Sequence, residues 1–192
     1  TIASGNTSTA MGRGTDASGQ YSTAMGENTL ASGRASTSTG NDTTASGIYS
    51  TATGNNSAAS GNTAFSMGRN TVASGAYSVA SGNISTASGS GSVAMGDNIE
   101  AFSAYETIFG RYSTNYTPSS TTSWNTNDRL FVIGNGINNV LRSNALTIYK
   151  NGTMNINDAY NMPTTDGSTG QVMTTDGAGN VSFSTPSTGG VT

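Results

Sequence analysis

Glycine occupies every seventh position from Gly5 to Gly96 without a miss: Gly5, Gly12, Gly19, Gly26, Gly33, Gly40, Gly47, Gly54, Gly61, Gly68, Gly75, Gly82, Gly89 and Gly96. A fixed internal period is the mark of a repeat architecture, in which each unit buries its surface against the next. Glycine at this frequency would cost a helix about 1 kcal/mol at each occurrence, so the repeat is read as strand and turn. The two halves of each beat differ, which makes the unit 14 residues long, from TIASGNTSTAMGRG (1–14) to STASGSGSVAMGDN (85–98). An eighth unit, IEAFSAYETIFGRY (99–112), keeps the frame but carries Ser103 where a glycine is due.

Composition narrows the possibilities further. The chain has 192 residues, of which 33% are hydrophobic and 9% charged; its net charge is −3, and it has neither cysteine nor histidine. Much of the apolar share is alanine, which buries little area. At roughly 25 cal/mol per Å² buried, against about 1–2 kcal/mol to order each residue, one chain alone lacks an ordinary core. Such a polar sequence would read as disordered but for the strict period, so burial is expected to come from outside the single chain. The near-neutral charge gives no electrostatic case for nucleic acid or an anionic membrane. No apolar run approaches the roughly 20 residues of a membrane helix, so no direct membrane insertion is expected of this segment. With Thr1 already inside a repeat and no signal peptide at its start, the chain reads as a mature product or an excised piece.

Position within the unit assigns each residue a column. Two short segments, around positions 1–5 and 8–12, are rich in Thr, Val and Ala and suit strands. Stacked two-strand coils make a parallel β-solenoid, with coils about 4.8 Å apart and seven of them giving a rod of roughly 30–35 Å. Strand residues alternate faces. Columns 3, 5, 10 and 12 hold Ala and Gly, apart from Ser38 and Ser66, and are assigned to a thin interior. One outer sheet then shows an unbroken serine column (Ser4, Ser18, Ser32, Ser46, Ser60, Ser74, Ser88). The other shows Thr9, Thr23, Phe65, Val79 and Val93 in column 9 and Met11, Met25, Met67 and Met95 in column 11. Charges in the seven units fall at turns or in column 2, never in columns 9 or 11. A sheet face without charge is a candidate interface, and its simplest partner is another copy of the chain. The expected interface residues are therefore Thr9, Met11, Thr23, Met25, Phe65, Met67, Val79, Val93 and Met95.

Candidate sites of other kinds are sparse. Without His or Cys, most nucleophile–base pairs and the common zinc sites are excluded, so no enzyme and no cofactor is expected. Asp166 and Asp176 each precede glycine and suit turns; they lie in neither a calcium nonapeptide nor an EF-hand loop, and no metal site is expected. Tyr21, Tyr49, Tyr77 and Tyr105 share column 7 on alternate coils. At about 9–10 Å spacing they form a stripe able to contact glycan or protein, or else pack over the small turn residues of the coils between, the reading favoured here. An ice-binding face would need a regular exposed Thr-x-Thr array, whereas the uniform exposed column is serine. The glycines form no phosphate loop, lacking its lysine and strand–loop–helix setting.

SVAMG (92–96), STAMG (8–12 and 22–26) and the xASGxxS half-units resemble the head repeat of the YadA-type trimeric autotransporter adhesins, built on SVAIGxxSxAxG. The resemblance covers residues 1–112, with Met or Thr often replacing the Ile and Thr the Val. It implies a left-handed parallel β-roll, three of which associate about one axis.

Beyond the roll, 113–129 reads as a polar linker or cap containing Pro118 and Trp124. A neck follows at 130–160, with strands near 130–134, 145–150 and 153–156 and a type I′ hairpin at Asn151-Gly152. Residues 130–183 resemble segments of phage tail-fibre-like and surface proteins. Residues 161–192 read as extended β and linker: a near-tandem pair, TTDGSTGQVM and TTDGAGNVSF, then STPSTGGVT. Strands so short are expected to intertwine with other chains or fray. The whole reads as an all-β, homotrimeric, non-enzymatic surface fibre with a β-roll head and a small β-rich neck. The resemblance implies an adhesin at the bacterial surface, attaching to a protein or glycan of host cells, matrix or neighbouring cells. A receptor-binding tail fibre of a phage or contractile injection apparatus is the alternative.

Overall fold

The structure, a computed structural model describing residues 1–186, contains strands and no helix among the described residues. Each 14-residue unit makes one coil with a two-residue and a five-residue strand. The first coil contributes β1 (Ile2–Ala3) and β2 (Thr9–Arg13), and the alternation runs through β15 (Glu100–Ala101) and β16 (Thr107–Arg111) in the eighth. All short strands line up in one parallel sheet of eight strands and all long strands in a second sheet. Each residue pairs with its equivalent 14 positions on, as Met11 with Met25 and Val79 with Val93. A one-residue slip would turn every side chain to the wrong face, and the identical period of all coils fixes the register.

The alanines of columns 3 and 10 and the column 5 glycines lie inside as expected: Ala17, Ala31, Ala45, Ala24, Ala52 and Ala80 are wholly buried. Column 12 does not. Gly26, Gly40, Gly54, Gly82 and Gly110 are exposed, and the column's φ angles run from +101° to +159°. That backbone breaks the two-residue alternation within the strand, and the column turns outward although its residues stay paired, as Gly12 with Gly26. The interior is completed instead by column 1 (Thr15, Thr29, Thr43, Ser57, Thr71, Ser85, Ile99) and column 8 (Ser22, Ser36, Ser50, Ala64, Ser78, Ser92, Glu106). Through the first seven coils the core is thus alanine with glycine and small hydroxyls, and the eighth adds Ile99, Glu106 and Ile108. Ser38 and Ser66, the two departures from alanine in column 10, each hydrogen-bond a column 1 threonine, Thr43 and Thr71, at 2.8 Å.

Glycine is required along the rod axis rather than across the roll. A Cβ on a column 5 glycine would sit 2.0–2.1 Å from the equivalent carbonyl oxygen of the next coil, and on a column 12 glycine 1.9–2.1 Å from it. Ser103 is admitted because the short-strand sheet ends with its coil, so no further rung lies above it. Gly110, in the same coil, keeps its glycine because the long-strand sheet continues: Gly134 O lies 2.1 Å from where its Cβ would be.

That continuation is β17 (Arg129–Asn135), which pairs parallel with β16 in the repeat's own register: Thr107 with Phe131, Phe109 with Ile133 and Gly110 with Gly134. The sheet therefore crosses the division expected near residue 112, and FVIGN forms a ninth rung. It then turns antiparallel through β18 (Asn144–Tyr149), β19 (Met154–Ile156) and β20 (Tyr160–Asn161). The hairpin at Asn151-Gly152 forms, but its turn is not type I′. Only Gly152 has positive φ (+88°), and its N–H donates to Tyr149 O at 2.9 Å, making Lys150–Gly152 a three-residue loop with a glycine bulge. Two final strands, β21 (Val172–Thr175) and β22 (Val181–Ser184), pair with each other around Asp176-Gly177. Residues 187–192, most of the expected terminal linker, lie outside the described residues.

Candidate interaction surfaces

Three surfaces follow from this arrangement. The first is the outer face of the long-strand sheet, where columns 9 and 11 stack into two parallel ladders. Met11, Met25, Phe65, Met67 and Met95 all stand 37–59% exposed on it. Thr9 is exposed beside them, and Thr23, Val79 and Val93 are half-buried. The ladders extend past the repeats through Phe109, Phe131 and Ile133, with the Phe109 and Phe131 rings 6.0 Å apart. These last residues were not among those expected on the face. Their signal was present, since FVIGN matches TAMGR in phase, but the 17 residues of 113–129 hide the register. An uncharged stripe this long, rimmed by polar turns, is the kind of surface that marks an interaction site.

The second surface is the edge formed by columns 6 and 7. Every column 7 residue from Thr7 to Tyr105 takes the left-handed conformation, φ +52° to +65°. Side chains rarely adopt it. Here the coil below holds it in place: Tyr49 N donates to Arg34 O at 2.9 Å, Thr63 N to Ile48 O at 2.7 Å and Tyr77 N to Asn62 O at 2.8 Å. Tyr21, Tyr49, Tyr77 and Tyr105 consequently stand in one row, 52–67% exposed. Tyr105 also lies over the Cα of Gly91, the small residue of the coil between, and 6.3 Å from the Trp124 ring. Between Tyr49 and Tyr77 the edge opens into a cleft of about 410 Å³ lined by Arg34, Ile48, Tyr49, Asn62, Thr63 and Tyr77. The Arg34 guanidinium lies 5.2 Å from the Tyr49 ring centre and donates to its hydroxyl. On the opposite edge, columns 13 and 14 form rungs of hydrogen bonds at the 14-residue spacing, including Asn55 to Asn41 (2.8 Å) and Asn83 to Asp97 (2.7 Å).

The third is a buried polar cluster where residues 113–129 fold over the end of the roll. Glu106 occupies column 8, an interior column that holds only Ser or Ala in the seven preceding coils. Its Oε2 accepts the N–H groups of Phe102 and Ser103, both at 2.9 Å, and the Tyr116 hydroxyl at 3.3 Å. Burial pushes its carboxyl above the usual range, against the pull of Ser103 N–H, the Arg129 charge, Phe102 N–H and Tyr116. Burial, and then the Glu106 charge, push the Tyr116 phenol up in turn. Arg129 stacks 4.2 Å from the Tyr116 ring centre and donates to Thr114 O and Oγ1 at 2.6 and 2.7 Å. Asp128 accepts Ser119 N–H at 2.6 Å and Ser120 N–H at 3.0 Å, which pins the loop. Lys150, lowered by burial, lies over Trp124 and donates to Ser103 Oγ at 3.2 Å. Glu106 Oε2, Arg129, Asp128 and Lys150 are each engaged within the cluster while Glu106 Oε1 is buried without a partner, and the arrangement suits a plug that seals the roll. Sequence reasoning missed it, although a lone glutamate in a Ser/Ala column was its readable sign.

Asp176 is a turn residue. Ala178 N–H and Asn180 N–H donate to its Oδ1 and the Asn180 amide to its Oδ2, at 2.6–3.0 Å, and these bonds hold its carboxyl below the usual range. Asp166 accepts the N–H of Gly167.

The YadA head domain repeat matches residues 3–29, 31–57, 45–71, 59–83 and 73–98, windows whose later starts advance in steps of one coil. No curated protein matches the chain. With a β-solenoid of 14-residue coils over the same residues, the repeat region spanning 3–98 places this chain in the YadA head family, the repeats of trimeric autotransporter adhesins.

Proposed function

We propose that this chain is the head and neck of a non-enzymatic homotrimeric fibre that attaches one cell to another surface. Three rolls, left-handed as in the family, stand about a common axis with columns 9 and 11 facing inward. The observation carrying this reading is the uncharged Met/Val/Phe/Thr face, continuous over nine rungs, on a rod whose first seven coils hold only alanine, glycine and small hydroxyls inside. Burial between protomers supplies the apolar area the single roll lacks. Attachment comes from weak contacts multiplied by three protomers and by copy number. The site of action is the outside of a bacterial cell, and the partner a protein or glycan of host, matrix or neighbouring cells.

Analytical ultracentrifugation of the whole chain tests the assembly. The expected mass is that of three chains, and a stable folded monomer overturns the assignment. Met25→Asp or Val93→Asp buries three uncompensated charges at the axis, at roughly 3–5 kcal/mol each, and dissociates or misfolds the fibre. Ser18→Asp, on the opposite sheet, leaves it intact. Adhesion of cells to surfaces coated with the trimer, compared with Met25→Asp, tests the function. A tail-fibre role is the second reading, favoured by the resemblance of residues 130–183. The reading frame beyond Thr192 separates the two, since a membrane-anchoring β-barrel there would decide for the autotransporter.

A further inference from the structure

We infer that the cleft between Tyr49 and Tyr77 is a binding site for a carboxylated oligosaccharide. The inference deepens the proposed adhesive function by naming a ligand class, and it rests on the trimer reading only in needing columns 6 and 7 to face outward.

The chemistry of the cleft carries it. Tyr77 is 67% exposed and Tyr49 52%, and left-handed backbone held by the coil below sets the direction in which each side chain leaves the edge. The rings sit two coils apart, about 9–10 Å, with Thr63 on the coil between them and Ile48 also lining the cleft. Two aromatic rings and the aliphatic Ile48 side chain offer apolar surface to the flat C–H faces of pyranose rings. Asn62 and Thr63 supply neutral donors and acceptors for sugar hydroxyls.

Charge then selects among sugars. Along columns 6 and 7, from Asn6 to Tyr105, Arg34 is the sole charged residue. It forms no salt bridge among the described residues, where the one ion pair is Arg13 with Glu27. Its guanidinium is already oriented by stacking on Tyr49 and by donation to the Tyr49 hydroxyl, which leaves further N–H groups free in a planar fork suited to a carboxylate. A lone oriented cation selects an anionic ligand, and a cleft of about 410 Å³ between two tyrosines suits a sugar ring rather than an acidic protein surface. Carboxylates of uronic acids and of sialic acids share this chemistry.

Saturation-transfer NMR on the intact chain at millimolar sugar tests the site. The probes are a uronate-containing tetrasaccharide, a sialic acid-terminated trisaccharide, and the neutral counterpart of each. Transfer to one or both acidic probes is expected, at least fivefold above its neutral counterpart, and the probe that binds identifies the carboxylate source. Arg34→Gln and Tyr77→Ala should each weaken binding tenfold or more. Tyr49→Phe keeps the ring but frees Arg34, and should weaken it less. Tyr21→Ala, two coils below Tyr49, should leave it unchanged. Transfer to neither acidic probe, equal transfer from the neutral ones, or binding that survives both Arg34→Gln and Tyr77→Ala overturns the proposal. Sedimentation of each variant keeps this distinct from failure of the assembly: a Tyr77→Ala chain that no longer forms the wild-type species places the edge in the interface and also overturns the site.

Discussion

Single residues in this chain are constrained mainly by the coil above them. At Gly54, φ is +112° and a Cβ would lie 2.1 Å from Gly68 O, so neither the backbone nor the stack can accept a side chain. Gly54→Ala is expected to destabilise the roll by more than about 3 kcal/mol, read as a lowered urea midpoint. Ile84 presents the opposite case. It holds φ +51° in column 14, where Asn28, Asn56, Asn70 and Asn98 take the same conformation. A β-branched residue is strained there and Asn is not. Ile84→Asn should therefore raise stability by about 1 kcal/mol, read as a higher urea midpoint.

Glu106 sets a pH dependence at the same scale. Its folded carboxyl binds its proton more tightly than in the unfolded chain, because burial disfavours the charged form. Between the ordinary carboxylate pKa of 4.5 and the raised folded value, the folded state holds more protons, so stability falls as pH rises through that window. Glu106→Gln retains an acceptor for Phe102 and Ser103 N–H and should flatten that slope, which thermal melts across the acid range would show.

At the scale of elements, the decisive event is that the two sheets end at different rungs. The short-strand sheet stops at β15, while the long-strand sheet takes on β17 and runs into an antiparallel meander. Residue choice follows. Gly89 lies under the Ser103 rung, and a Cβ there would sit 2.0 Å from Ser103 O. Gly89→Ala should thus cost more than about 3 kcal/mol, whereas Ser103→Gly loses only its bonds to Arg129 O and Lys150, about 1–2 kcal/mol. Chemical denaturation of both variants checks the asymmetry, and equal losses would contradict the rung assignment.

Considered whole, the molecule is a stack of nearest-neighbour contacts whose largest apolar surface faces outward. A folded state that depends on association has a concentration-dependent melting temperature, which should rise over a hundredfold increase in protein concentration. A melting temperature independent of concentration would argue for a self-sufficient roll.

The sequence by itself determined the period, the parallel in-register coils, the outward serine column and the uncharged Met/Val/Phe face, because identical units stacked at one spacing leave a single register available. It was legible only in part inside the coil. Alternation placed column 12 inside, but the positive φ of its glycines turns that column out and leaves columns 1 and 8 to close the core. Backbone conformation of this kind depends on hydrogen bonds between coils, which no single unit contains. Nor could linear spacing reveal that 113–129 loops over Glu106 and returns Phe131 to the ladder, or that Arg34, Tyr49 and Tyr77 meet at one cleft. Those juxtapositions were decided by the tertiary structure, because they join residues from different coils that only the stacked rod brings within reach.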